Sequence, residues 1–150
     1  MNKIRVTKSF NFETAHALYG YDGKCKNIHG HSYKLFVTVK GTPIQDNTNP
    51  KFGMVIDFGD IKKVVKSRVV DEFDHAILLN ENSPHKALGD QLKAEGHKVI
   101  FTSYQPSCEN MLLDMVELIR PHLDSSVELH SLRLHETETS YAEWLAEDNT

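Results

Sequence analysis

The chain has few cysteines and no long apolar run. These two absences argue against a disulfide-rich secreted domain and against a membrane-spanning protein. It holds two cysteines, Cys25 and Cys108, in 150 residues, which is too few for the disulfide framework of a small secreted domain. No apolar run approaches the roughly 20 residues of a membrane-spanning helix, and the first residues lack a signal-peptide core. We therefore expect a soluble, cytoplasmic protein with reduced thiols.

An excess of positive charge is also missing. The net charge is −4, which argues against general affinity for nucleic-acid phosphate but does not exclude a small anionic ligand at a locally basic site. There is no repeat, low-complexity segment or linker, so residues 1–150 should form one domain. A chain of this length buries roughly 70% of its unfolded surface without help from disulfides.

Two alternating segments predict a pair of antiparallel strands. From Ile4 to His16 the even positions are mainly apolar and end at His16. The second segment begins with His29 and His31, and its apolar odd positions continue their parity. Residues of one parity share a face of a strand. The glycine-containing loop between the segments would let the strands pair.

The three histidines are the candidate metal ligands. His29 and His31 should project side by side, and pairing of the strands could bring His16 across from them. Three histidines match a catalytic zinc site, which keeps a fourth position open, although such sites accept several divalent metals. A single histidine is more often a surface or hydrogen-bonded residue, so the shared parity is what favours a metal.

Helical spacing appears in two later segments, after Asp57 and after Ser107. A shorter helix or structured loop is expected over residues 83–96, and another strand over 127–136. The order strand, strand, helix, helix, strand predicts an α+β fold, with two main helices packed on one face of an antiparallel sheet.

Cys25 allows three interpretations. Its thiolate could be a fourth zinc ligand, which would make the site structural. It could instead lie beside the metal as a base or nucleophile with a lowered pKa, or it could be an inert loop residue. The polar Gly23-Lys24-Cys25-Lys26 context favours a reactive role.

Four further residues could carry chemistry. Asp74 and His75 are adjacent and could form a proton relay, or else a capping acid beside an exposed imidazole. Glu136, after the last predicted strand, could accept paired N–H donors from a planar heterocycle, or it could be a solvated strand end. Glu109, at the start of a helix, is also explained by the helix dipole.

These motifs occur in one order that resembles the 6-pyruvoyl-tetrahydropterin synthase / 6-carboxy-tetrahydropterin synthase family. The matching segments run from about Phe10 to Glu138 and include Cys25-x-x-x-His29-Gly30-His31, Asp74-His75, Pro106-Ser107-Cys108-Glu109-Asn110 and Glu136-Thr137. The resemblance implies the tunnelling fold, with a four-stranded antiparallel sheet and two helices on one side. It also implies homohexamers with active sites at subunit interfaces.

By position, the resemblance assigns zinc to His16, His29 and His31, the catalytic base to Cys25, and paired proton transfer to Asp74 and His75. Glu136 would anchor the pterin ring, and Glu109 would lie near the substrate. The substrate would be 7,8-dihydroneopterin triphosphate.

The spacing of Cys25 and His29 resembles the bacterial enzymes that form 6-carboxytetrahydropterin, acetaldehyde and triphosphate on the route to queuosine. The alternative is the pyruvoyl-forming branch, whose animal members have a longer gap. A third branch, linked to folate synthesis, replaces the cysteine with glutamate. A non-enzymatic zinc- or pterin-binding module remains a further alternative, and it predicts a metal enclosed by four protein ligands.

Overall fold

One mixed sheet of six strands organises the chain. The computed structural model describes all 150 residues, Met1–Thr150. Across the sheet the strand order is β4-β3-β1-β2-β5-β6. The strand bounds are β1 Ile4–His16, β2 His29–Gly41, β3 Ala76–Asn80, β4 Val99–Thr102, β5 Glu128–His135 and β6 Tyr141–Leu145.

The two long central strands pair antiparallel over their whole length. The register runs from Ile4 opposite Gly41 to His16 opposite His29. The predicted pair of strands is therefore confirmed, and the last pair in the register joins two of the predicted metal ligands. Beyond His16 the chain turns through a loop that includes a short 3-10 turn, Lys24–Lys26, before β2 begins.

Two helical segments cover one face of the sheet. Helix α1, Phe58–Val65, begins at Asp57, whose carboxylate accepts a hydrogen bond from the Gly59 N–H. It continues through a π-helical turn, Lys66–Val70, into α2, Asp71–Phe73. Helix α4, Cys108–Ile119, is capped by Ser107, whose hydroxyl accepts from the Asn110 N–H. Each cap satisfies one of the N–H groups that a helix leaves free at its start.

The core lies between these helices and the sheet face that carries the even positions of β1 and the odd positions of β2. Its fully buried members come from both layers: Leu35, Val37, Leu132 and Leu134 from the sheet, and Ile61, Val65, Met111, Met115 and Ile119 from the helices. The predicted α+β class and the placement of two main helices on one face are confirmed.

The sheet differs from prediction in having six strands rather than four, and in being mixed rather than antiparallel. β3 pairs parallel with β1, β4 pairs parallel with β3, and β6 pairs antiparallel with β5. These added strands have only four or five residues. Alternation over so short a span cannot be distinguished from loop or helix, so their pairing was decided by tertiary contacts.

Helix α3, His85–Ala94, packs on the opposite face of the sheet, over β3 and β4. A Cβ added at Gly89 would lie 2.3 Å from the Phe101 ring and 3.3 Å from Leu79, so glycine lets the helix approach these strands closely. The predicted helix within residues 83–96 is thus confirmed. None of the helices is long and apolar enough to cross a membrane.

Two adjacent leucines of α4 provide a test of this packing. Leu112 is 3% exposed and Leu113 is 52% exposed. We expect Leu112→Ala to lower the free energy of unfolding by about 2–5 kcal/mol, because it leaves a cavity in the core. Leu113→Ala should change it by less than about 0.5 kcal/mol. Urea unfolding of the two variants measures this, and equal losses would contradict the assigned buried face.

Candidate metal centre

The three predicted histidines meet where β1 ends and β2 begins. One ring nitrogen from each of His16, His29 and His31 lies within 4.8 Å of the others. The β1–β2 register places His16 directly opposite His29 and Thr14 opposite His31. His16 is almost fully buried, whereas the other two are partly exposed at the open end of the sheet.

Backbone carbonyls orient two of the imidazoles. The Nδ1 of His16 lies 2.6 Å from the Pro106 carbonyl oxygen, and the Nδ1 of His29 lies 2.6 Å from that of Asn27. A carbonyl can only accept, so each Nδ1 carries the proton and each Nε2 keeps its lone pair. Supporting hydrogen bonds of this kind are usual for metal-binding histidines.

The resulting donor set fits a divalent cation. The Nε2 atoms of His16 and His29 are 3.1 Å apart, and with both lone pairs exposed that contact is repulsive unless a cation lies between them. The Nε2 of His31 is buried without a hydrogen-bond partner, which is costly for a polar atom. A metal bound by all three Nε2 atoms would remove both penalties, and imidazole nitrogens suit zinc.

Burial favours the neutral form of two of the three histidines. Burial lowers the pKa of His16, against the opposing influence of the Pro106 hydrogen bond and the Glu136 charge. Burial also lowers the pKa of His31, again opposed by the Glu136 carboxylate. A histidine must be deprotonated to bind a metal, so these directions favour metal binding at neutral pH.

Glu136 reaches the same centre from the turn after β5. Its Oε1 lies 3.4 Å from the His16 Nε2 and 3.5 Å from the His31 Nε2. The Tyr33 hydroxyl donates to the same oxygen at 3.4 Å. Burial and the Glu136 charge raise the pKa of Tyr33 well above its usual value, so the hydroxyl remains a donor. Glu136 therefore lies against the histidine cluster and is not simply a solvated strand end.

Asp74 and His75 form the predicted pair between α2 and β3. The His75 Nδ1 lies 3.0 Å from an Asp74 carboxylate oxygen. The Glu13 N–H donates to the other oxygen at 2.8 Å, and the Glu13 carbonyl accepts from the His75 N–H at 2.6 Å. The hydrogen bond from the Glu13 N–H is the main cause that lowers the pKa of Asp74, and the His75 side chain lowers it further. His75 has φ of 62°, an uncommon conformation that these backbone contacts hold.

Two cavities flank the histidine cluster, and some of the remaining candidate residues line them. The larger, about 570 Å³, is lined by His31 and His75 among others. The smaller, about 360 Å³, is lined by Glu109 and Glu136. His31 and Glu136 are themselves in contact, so the histidine cluster joins the two spaces. Leu92 of α3 lines the larger cavity, which places the segment 83–96 at the rim of a pocket.

Cys25 lies in the short turn before β2 and lines neither of these cavities. Its carbonyl accepts from the Leu18 N–H at 3.0 Å, which ties the loop together. Its thiol is free and partly exposed. Cys108, by contrast, is buried, and burial raises the pKa of its thiol to about 12, so it packs as a small neutral side chain.

Sequence patterns did not indicate three contributors to the centre. The carbonyls of Pro106 and Asn27 orient the imidazoles, but a backbone carbonyl leaves no trace in residue type. Tyr33 was predicted only as an apolar-face residue of β2. The alternation that placed it two residues after His31 already put its hydroxyl on the metal-binding face.

Together, the fold and this cluster define an α+β protein with three histidines at the end of a sheet that could hold a metal ion. A sequence model described as 6-pyruvoyl tetrahydropterin synthase matches residues 5–147. The chain belongs to the 6-pyruvoyl tetrahydropterin synthase family.

Relatives named 6-carboxy-5,6,7,8-tetrahydropterin synthase resemble the chain along most of its length. The protein of that name from Haemophilus influenzae is 33% identical over 142 residues, 94% of this chain and 98% of its own. The one from Rickettsia typhi is 33% identical over 143 residues, 93% of this chain and 99% of its own.

Solved structures support the same fold. An uncharacterized protein from Wolinella succinogenes aligns with a TM-score of 0.78 at 18% identity, covering 97% of this chain and 99% of its own. The 6-pyruvoyl tetrahydropterin synthase of Caenorhabditis elegans aligns with a TM-score of 0.66 at 24% identity, covering 97% of this chain and 96% of its own. The expected family fold is thereby confirmed.

Metal content tests the centre directly. We expect His31→Ala to weaken zinc binding by more than about a hundredfold, because loss of a ligand should exceed the 10–100-fold cost of losing a supporting hydrogen bond. The control is His122→Ala, since His122 is exposed and lies outside the cluster. Chelator competition and elemental analysis measure the difference, and equal zinc affinity in both variants would disprove the assigned site.

Proposed function

We propose that the protein converts 7,8-dihydroneopterin triphosphate to 6-carboxy-5,6,7,8-tetrahydropterin, with release of acetaldehyde and triphosphate, as a carbon–carbon lyase on the route to queuosine. The observation that carries the proposal is the cluster of His16, His29 and His31. It occurs in a chain about one-third identical to relatives that bear the name of this synthase. The free thiol of Cys25 is compatible with a reaction in the reducing cytoplasm.

In this proposal the three histidines hold zinc, which would supply Lewis-acid polarisation of the substrate's side-chain oxygens. Glu136 and Glu109 line the smaller cavity, which we assign to the pterin ring. A carboxylate can accept two parallel N–H bonds from such a planar heterocycle, and this fixes the orientation of the ring as well as its affinity.

Proton transfer is assigned to Cys25 and to the Asp74–His75 pair. The Cys25 thiolate would take a proton from the substrate side chain. The His75 imidazole, whose Nδ1 is held by Asp74 at 3.0 Å, would exchange a proton through its free Nε2. An adjacent carboxylate sets the tautomer and orientation of an imidazole. The 77% exposure of the His75 side chain leaves it accessible to a substrate.

Subunit association forms part of the proposal. His75 lines the larger cavity and Cys25 lines neither cavity, and the sheet ends in two unpaired edge strands, β4 and β6. Edge strands readily pair with another chain. We propose a homohexamer in which neighbouring subunits complete each active site.

Native mass spectrometry should give six times the 17.1 kDa chain mass, and an active monomer would contradict this arrangement.

The reaction is tested by mass spectrometry of the products formed from 7,8-dihydroneopterin triphosphate by zinc-loaded protein. We expect 6-carboxytetrahydropterin and acetaldehyde from the wild type. Cys25→Ala should fold and bind zinc normally but lose turnover by about 10²–10⁴-fold, the usual contribution of a positioned acid or base.

Three other results would change the conclusion. Pyruvoyl-tetrahydropterin without acetaldehyde would move the assignment to the pyruvoyl-forming reaction. No product from zinc-replete protein would favour a binding module. Full turnover by Cys25→Ala would remove the cysteine from the mechanism while leaving the reaction assigned.

A further inference from the structure

We infer that the Glu136 carboxylate is the fourth ligand of the metal while no substrate is bound, and that it leaves the metal when a pterin ring arrives. This inference deepens the proposed function and rests on the three-histidine centre described above. It concerns the position that Cys25 could also fill.

The Glu136 oxygen lies at separations from two of the imidazole nitrogens that match the edge of a zinc tetrahedron. Zinc bonds to nitrogen and oxygen are about 2.0–2.2 Å long, so tetrahedral ligands lie about 3.3–3.6 Å from each other. The Glu136 Oε1 lies 3.4 Å from the His16 Nε2 and 3.5 Å from the His31 Nε2. The Nε2 atoms of His16 and His29 lie 3.1 Å apart, slightly closer than such an edge. Glu136 thus places an oxygen close to where a fourth ligand belongs.

Hydrogen bonding does not explain this approach of the carboxylate. The Nε2 of His16 has no proton to donate, because its Nδ1–H already donates to Pro106. The Nε2 of His31 has no hydrogen-bond partner, and at 3.5 Å it exceeds the 2.7–3.2 Å of ordinary N–H···O bonds. The Glu136 oxygen therefore faces the lone pair of the His16 Nε2 and is repelled by it. A shared cation reverses the sign of that interaction.

The contacts of Glu136 allow it to hold two positions. Its main chain is fixed at the turn by an N–H bond to the Ser140 carbonyl at 3.1 Å. Its side chain has only the long Tyr33 contact besides the histidines and is 25% exposed. The carboxylate also lines the smaller cavity beside Glu109. A rotation about its side-chain bonds would direct it from the histidines toward a ring bound in that cavity.

Such a movement would couple binding of the pterin ring to the opening of the fourth coordination position of the metal. Catalytic zinc sites have three protein ligands and an open fourth position, whereas closed four-ligand sites are structural. If Glu136 binds the metal only in the absence of substrate, the open position is created when the pterin N–H groups compete for the carboxylate. The substrate would then uncover the metal position at which its own side-chain oxygens bind.

The ligand assignment is tested without turnover. We expect Glu136→Gln to weaken zinc binding by about tenfold or more in chelator competition, because a neutral amide is a poor zinc ligand. Glu109→Gln makes the same change in the same cavity and should leave zinc affinity unchanged. In cobalt-substituted protein, Glu136→Gln should alter the visible ligand-field spectrum, whereas Glu109→Gln and Cys25→Ala should not.

Adding neopterin, an unphosphorylated pterin, tests the movement. The cobalt spectrum of the wild type should shift toward that of Glu136→Gln, and the variant's own spectrum should change little. Unchanged zinc affinity and spectrum in Glu136→Gln would overturn the inference, as would a cobalt–thiolate charge-transfer band that disappears in Cys25→Ala. A wild-type spectrum that neopterin does not shift would overturn the exchange. None of these results depends on product formation, so each is separable from failure of the proposed reaction.

Discussion

The metal centre depends on the register between β1 and β2. Thirteen residue pairs join the two strands, and the last pair joins His16 to His29. Side chains alternate between the two faces of a strand. A slip of one residue between β1 and β2 would therefore place His16 on the opposite face from His29 and His31. The apolar residues that share the histidines' face prevent such a slip, since it would also expose Leu35 and Val37 to water.

Burial serves both the core and the chemistry. The same sheet face carries the hydrophobic cluster at one end and the imidazoles at the other. Removing His16 from water lowers its pKa and keeps its nitrogen available to a cation at neutral pH. The neighbouring Glu136 carboxylate acts in the opposite direction. A cation would interact favourably both with the lone pairs of the neutral imidazole nitrogens and with the negatively charged Glu136 oxygen.

The added strands and the third helix explain how separate motifs reach one region. β3 pairs with the end of β1 and brings the preceding Asp74–His75 pair beside Glu13. The β5–β2 pairing carries Glu136 to the same end of the sheet. Helix α3 closes the rim of the larger cavity from the opposite face. Residues more than 100 positions apart in the chain thereby surround one centre.

The sequence by itself determined the two long strands, the main helices with their caps, and the face shared by the three histidines. Each depends on a local pattern of period 2 or 3.6, or on a cap within a few residues, so a single sequence displays it. The tertiary structure alone decided how the three short strands pair, how α3 packs and how Glu136 approaches His16 and His31. Those features depend on pairing between distant segments and on backbone carbonyls such as that of Pro106, whose positions no local pattern encodes.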